Sequence, residues 1–502
     1  MLKALRIRFL YIRELHLTIA ILDFFETSFI LKMESKIISK QNVAPSSPTP
    51  QNLQTYKLSM LDQIVPPMLV PLVLYFPNPT KTPTTDNLKH SLSVTLTRFY
   101  PLAGRVNPDG QSINCNDQGV PFTVVKFNHN LSHLLRNKPD EKLPHHLLPC
   151  GITWDTEHCP GSSVALVQVN HFDCGGIAIG LIFWHKIADG LTMGNFVNLW
   201  AHAARGEAVE SILPSYVSQS AFPPKSEMQN PKGSMSTILK TGKSIMRRYR
   251  FDSPAILKLK SSVVMSDQRG PTRVEAVSAL IWKCFMVASR ANHRSVSVMT
   301  HAVNLRRRAE PKFPDEVFGN FPGMAAASAE NEGFELGQLV GKMRAAIKKI
   351  DGEFVKRLQG DDGFSGYLEN LRLMWSEIHE NADLLPISSW CGFGLYGVDF
   401  GFGKPAWLTR CDSGCDEGSR FLNVVWLMDT RDGDGIEAWV TLDEKYMSVF
   451  EKVDDLRVFA SCDPSPLDNS IDHEPIVFTS HCGTENVDED HQSQLNPAFL
   501  QC

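Results

Sequence analysis

The sequence predicts an α/β protein built from more than one domain, on three observations. An apolar run at 177–184 reads as a strand buried on both faces and passes straight into a helical pattern of Leu191, Phe196, Leu199, Trp200 and Ala203, which Gly206 can stop. After Arg205 the chain becomes polar and broken, with Pro214, Pro223, Pro224 and Pro231, before a basic run at 240–250. Strand and helix patterns then resume. With 502 residues the chain is long enough for two or three domains of ordinary size.

The elements follow in order. Residues 54–78 form an extended, proline-punctuated apolar segment containing Leu61-Asp62-Gln63 and the run 70–76. Thr85 or Asp86 can cap a helix that carries Leu88, Leu92, Leu96 and Phe99 on one face; Pro101 stops it and Gly104 permits a turn. Stretches at 120–127 and 163–169 read as strands of the first domain. The composition shift at 206–250 marks a crossover linker, which sets domains at 33–205 and 251–464. The second opens with an amphipathic helix at 272–282, a strand at 296–303 and the run Asn304-Leu305-Arg306-Arg307-Arg308. A long helical region at 334–358 leads to Ser388-Ser389-Trp390-Cys391, and strands follow at 424–429 and 435–440. Residues 465–502 lack apolar periodicity and are expected to be a disordered tail. No internal repeat is visible.

Composition narrows the class. An apolar fraction of 43% and a charged fraction of 21% are those of a soluble globular protein. A net charge of −5 without a basic stripe makes no case for a nucleic-acid partner. Eleven cysteines without paired spacing read as free thiols in a reducing, cytoplasmic setting. Cys391, Cys411 and Cys415 cluster in sequence but have no matching second pair, so no metal is expected. Arg6, Arg8, Arg13, Glu14, Asp23 and Glu26 interrupt the apolar start, which falls short of the roughly 18 uncharged residues of a membrane span and lacks a cleavage site. No membrane partner is therefore expected.

The chemistry centres on His185-Lys186-Ile187-Ala188-Asp189-Gly190, between the buried strand and its helix. A histidine on rigid scaffolding suits general-base work. By itself the spacing is also that of a hydrogen-bonded histidine at a strand end. A second motif lies far downstream: Asp399-Phe400-Gly401-Phe402-Gly403-Lys404-Pro405. Its two glycines permit a tight turn that Asp399 can lock. A protein-kinase reading of HKIAD and DFG fails, because 399 − 189 leaves 210 residues between the aspartates and no glycine-rich loop precedes them.

HKIADG resembles the HxxxDG signature of the BAHD acyltransferases, and DFGFGKP resembles their DFGWG signature with Phe402 in the tryptophan position. SSPTP, LSMLDQ, YFP, YPLAGR, CGGIAIG, VNLRRR and SSWC extend the resemblance over roughly 33–460, nearest to vinorine synthase-like alkaloid and terpenoid O-acetyltransferases. The polar leader that begins at Met33 looks like a family start.

The resemblance implies two similar chloramphenicol acetyltransferase-like domains, each a mixed sheet with helices, and an active-site channel between them. It implies acyl-CoA, with acetyl-CoA foremost, and a hydroxyl of a plant specialised metabolite as co-substrates of a monomer. His185 would be the general base, and Asp189 a structural support paired with Arg306. Trp390 and Ser388 are oxyanion candidates, although Trp390 also fits a merely packed residue. Asp399, Gly401 and Gly403 would hold structure away from the reaction centre, and Thr272 and Arg273 lie where coenzyme A is approached. Trp184 and Gly392 depart from the family pattern beside the site, which leaves open a reshaped acceptor pocket or a non-catalytic, metabolite- or protein-binding relative.

Met33 is expected to be the working initiator, with residues 1–32 outside the fold. Mass spectrometry of the native protein should find an N-terminus at or next to Met33; a peptide from 1–32 would overturn this.

Overall fold

Two mixed sheets organise the chain. The computed structural model describes residues 33–467 except 82–83, 137–138, 140–141, 152–160, 210–213, 229–238, 265–268, 377–381 and 412–419. The expectations for 1–32, for Cys415 and for 468–502 lie outside the described residues. Strands of the main sheets, in chain order, are β1 (Ser35–Val43), β2 (Leu69–Phe76), β3 (Val120–Phe127), β4 (Ala165–Phe172), β5 (Ile177–Trp184), β6 (Ser244–Phe251), β7 (Val296–Asn304), β8 (Pro322–Glu330), β9 (Ala382–Ser389), β10 (Trp407–Thr409), β11 (Val424–Asp429), β12 (Ile436–Asp443) and β13 (Ser461–Cys462). The first sheet runs β1-β3-β4-β5-β2-β10 and the second β8-β7-β9-β11-β12-β6-β13. Among the described residues no helix is long and apolar enough to cross a membrane.

β5 is buried at all eight positions, as its uninterrupted apolar text requires, and pairs antiparallel with β2 from Leu69–Trp184 to Phe76–Ile177. Helix α1 (Met60–Ile64) carries the LDQ segment, α2 spans Thr85–Arg98, and α3 (Gly190–Ala204) follows β5. The cap of α2 is Thr84, one residue before the expected pair, because its hydroxyl accepts from the Asn87 amide. In the second half α4 (Arg273–Ala291) packs on the sheet, capped by Thr272. The expected helical region at 334–358 is two helices, α5 (Leu336–Lys348) and α6 (Gly352–Leu358), separated where Asp351 caps the second.

Three expectations about the domains need correcting. The 206–250 linker ends early: Ser244–Phe251 is a strand of the second sheet, and its charge misled because Arg248 is buried against Glu437 at 2.5 Å. The DFGFGKP segment does not pack in the second domain. Phe400 and Phe402 join the first core, and β10 pairs with β2 at the edge of the first sheet. Met60 and Leu61 cross in the other direction, into the second core. The start of the expected tail is also docked, since the Ser465 hydroxyl donates to Leu135 O at 3.1 Å and Leu467 packs against the first core.

This exchange makes the halves interdependent. A fragment of residues 33–205 lacks β10 and leaves the β2 edge, buried at every position in the whole chain, without a partner. It should aggregate on expression where the full chain does not. A monomeric fragment with a cooperative melt would show that the first half stands alone.

Candidate functional site

β5 delivers the HKIADG turn. His185 follows the last strand residue, and its amide donates to Met68 O at 2.9 Å. Nδ1 lies 3.2 Å from the Ala188 carbonyl oxygen. A carbonyl can only accept, so Nδ1 carries the hydrogen and the Nε2 lone pair is left for chemistry. Burial pushes the imidazole below its ordinary value and the Arg410 charge acts in the same direction; bonds to backbone carbonyls and the Asp189 charge partly offset them. The ring is therefore biased toward the neutral form.

The Asp189 carboxylate is bonded to the start of α3 and to Arg306, and reaches His185 through its charge. It caps α3, with Oδ1 accepting from the Thr192 amide at 2.9 Å. Its Oδ2 accepts from Arg306 at 2.6 Å and from the Phe321 amide at 3.1 Å, and the second Arg306 nitrogen reaches Oδ1 at 3.3 Å. Burial alone would raise this carboxyl, but the Arg306 guanidinium and the donated hydrogen bonds outweigh it and hold the group below its usual range. Arg306 is wholly buried, donates to Val317 O and Gly319 O at 2.9 Å each, and stacks 4.3 Å over the Phe321 ring. Gly190 is needed for space: a Cβ there would lie 2.7 Å from Phe393 Cε2 and 3.1 Å from Trp390 Nε1.

That contact brings Trp390 to the turn. Trp390 follows β9, its amide donating to Leu427 O at 2.7 Å, and Ser388 sits beside Trp426 in register. Thr272 and Arg273 are engaged within the protein. The Thr272 hydroxyl caps α4, while Arg273 pairs with Asp429 at 3.2 Å. Asp429 also accepts from the Gly392 amide at 2.7 Å, so Arg273 reaches the Trp390 turn only through it.

Gly392 has φ +84, a conformation that an arginine side chain would strain. Trp184, 2% exposed, packs in the first core. Asp399 Oδ1 accepts from the amides of Gly401 and Gly403 at 2.7 and 3.0 Å, and Phe402 packs 5.0 Å from Phe76. Phe76 is at the far end of β2 from His185, whose amide meets Met68, eight residues or about 26 Å away along the strand. The structure thus gathers His185, Asp189, Arg306 and Trp390, and leaves the Asp399 turn remote.

Four residues at the site have no role assigned to them in the sequence reading. Asp62 and Asn320 are fully buried; Asp62 accepts from the Asn320 amide and side chain at 2.7 and 2.9 Å, and Asn320 Nδ2 donates to His185 O at 2.8 Å. Burial pushes Asp62 up, partly countered by these bonds. Lys186 donates to Gln63 O at 2.7 Å, and burial pushes its ammonium down to about 8. Arg410, 4% exposed, follows β10. A charged residue inside an apolar run, as Asp62 and Lys186 are, was the available signal.

A profile of the transferase family matches residues 33–456. Epi-neemfruitin B 7-O-acetyltransferase L7AT of Melia azedarach is 38% identical over 456 residues, covering 87% of this chain and 100% of that protein. Stemmadenine O-acetyltransferase of Catharanthus roseus is 36% identical over 427 residues, covering 83% and 96%. The crystal structure of vinorine synthase matches with a TM-score of 0.72 at 32% identity, over 86% of this chain and 100% of that one. The chain belongs to this family, the BAHD acyltransferases, and is an O-acyltransferase.

Removing one partner of a buried ion pair strands the other. Arg306→Ala should cost about 3–5 kcal/mol, read as a lower denaturant midpoint. Arg306→Lys should fall between, since an ammonium cannot fork across both carboxylate oxygens. Asp189 titrates below its unfolded value of about 3.9, so the contribution is present above that pH and fades only as pH falls further. Wild-type stability from the Arg306→Ala variant at pH 7 would make the pair incidental.

Proposed function

We propose that the protein transfers an acetyl group from acetyl-CoA to a hydroxyl of an alkaloid or terpenoid acceptor, with His185 as general base and no acyl-enzyme. The single observation that supports this best is the committed Nδ1 of His185, which leaves one lone pair at the end of a rigid strand. The names of the relatives, acetyltransferases of limonoid and alkaloid alcohols, support the donor group and acceptor class.

In this reaction Nε2 takes the acceptor's hydroxyl proton as its oxygen attacks the thioester carbonyl. The oxyanion that forms collapses, the carbon–sulfur bond breaks, and the same proton passes from His185 to the coenzyme A thiolate. Products are an ester and free coenzyme A. The Trp390 indole N–H and the Ser388 hydroxyl are the proposed oxyanion donors, and Asp189 acts only by holding the turn. Thr272 and Arg273 keep their proposed place near coenzyme A only if they exchange present partners for it.

Thiol release from acetyl-CoA against a panel of alkaloid and terpenoid alcohols should be acceptor-dependent, and His185→Ala should lower it about 10²–10⁴-fold. Because the base works when neutral and its proton affinity is reduced, kcat/KM should persist below pH of about 6.5 and fall only in more acid solution. An acid limb centred above that pH, or ping-pong kinetics, would contradict the mechanism.

A further inference from the structure

The indole beside the HKIADG turn is stacked by a cation that follows β10. Arg410 leaves the first sheet just after Thr409 pairs with Val73, toward the end of β2 where Met68 O accepts from the His185 amide. Its guanidinium carbon lies 3.5 Å from the centre of the Trp426 ring and 4.8 Å from that of Trp390. The two indoles meet edge to face, centroids 6.1 Å apart at 80°, so the guanidinium fills the angle between them. Trp390 in turn touches Gly190, one residue from Asp189. A planar, permanently charged group can hold two aromatic faces at once, which a neutral side chain or a lysine cannot do equally well.

We propose that Arg410 is a positioning residue of this acyl-transfer site: its guanidinium fixes the Trp390 indole at the HKIADG turn and sets a permanent positive charge beside the base. The inference rests on the reading of the site given above. Stacking supplies the first effect: Arg410 covers one face of the ring whose N–H edge lies over Gly190, where a side chain would have no room. Charge supplies the second. The charged groups around His185 are Asp189 on its own turn, Arg306 behind that, Asp62 and Lys186 beneath, and Arg410 across from it. Arg410 acts on the imidazole in the direction opposite to Asp189, so its charge disfavours a proton there.

Arg410→Gln, Arg410→Met and Arg410→Lys separate the two effects. Both neutral variants should move the acid limb of kcat/KM to higher pH, by at least about threefold in hydrogen-ion concentration. Arg410→Lys should keep the limb in place. All three should lower kcat at the plateau about tenfold or more, with the KM for acetyl-CoA little changed. A limb that stays put in whichever neutral variant folds, or a wild-type kcat in all three, would reduce Arg410 to ordinary packing. If the wild-type protein transfers no acetyl group, the reading of the reaction fails separately. The same comparison is then made by NMR titration of the His185 imidazole, identified by the signal that His185→Gln removes, and an unmoved titration in the neutral variants overturns the proposal.

Discussion

One buried ion pair ties the turn that carries His185 to the second half of the chain. Asp189 sits at the head of α3, and Arg306 comes from the far half of the chain, dividing its donors between Asp189 and the carbonyls of Val317 and Gly319. A carboxylate removed from water is tolerated only when its lone pairs are filled, and here the Thr192 and Phe321 amides complete what the guanidinium begins. The pair therefore fixes three things together: the start of α3, the loop 317–321, and the turn that carries His185. In the proposed reaction it also keeps Asp189 from relaying a proton, because its oxygens are committed to Arg306.

The same economy of position appears in the exchange of segments between halves. β10 and the Phe400–Phe402 stack belong in sequence to the second half but in space to the first core, while Met60 and Leu61 go the other way. Asp62 arrives with that crossing and, through Asn320, holds the His185 carbonyl from below. The turn is thus gripped through a side chain, a backbone carbonyl and a helix cap, each from a different segment. Several holds of this kind suit the proposed base, which would have to stay within hydrogen-bond reach of a hydroxyl.

What the sequence could and could not reveal follows from the range of each interaction. β5 was legible to the residue because burial on both faces writes itself as an unbroken apolar run. The capping of α4 by Thr272 was half legible: the helix start was clear, but the partner of the capping hydroxyl, Glu275, only makes sense once the helix exists. The basic strand β6 read as linker because nothing local shows that Arg248 faces Glu437 and Trp439 on β12 and Trp407 on the first sheet. Arg410 was invisible for the same reason. Its neighbours Trp390 and Trp426 lie on either side of it in sequence, and only the pairing of β10 with β2 brings it to the base. Periodicity reports burial; it does not report which distant side chains share a cavity.

The arrangement bears directly on how a proton would leave in the proposed reaction. With Nδ1 bonded to Ala188, the proton taken by Nε2 has no second exit through the ring to a carboxylate. It must go forward to the leaving group or back to the acceptor. Burial and the nearby cation make the protonated imidazole a stronger acid than a free one, which weakens it as a base in the first step. The compensation comes in the second. A thiolate whose conjugate acid has a pKa near about 8.5 takes a proton readily from an imidazolium held below about 6.5. The site is thus biased toward collapse of the intermediate with sulfur departing, and the good leaving group of a thioester is matched by a base that gives its proton up easily.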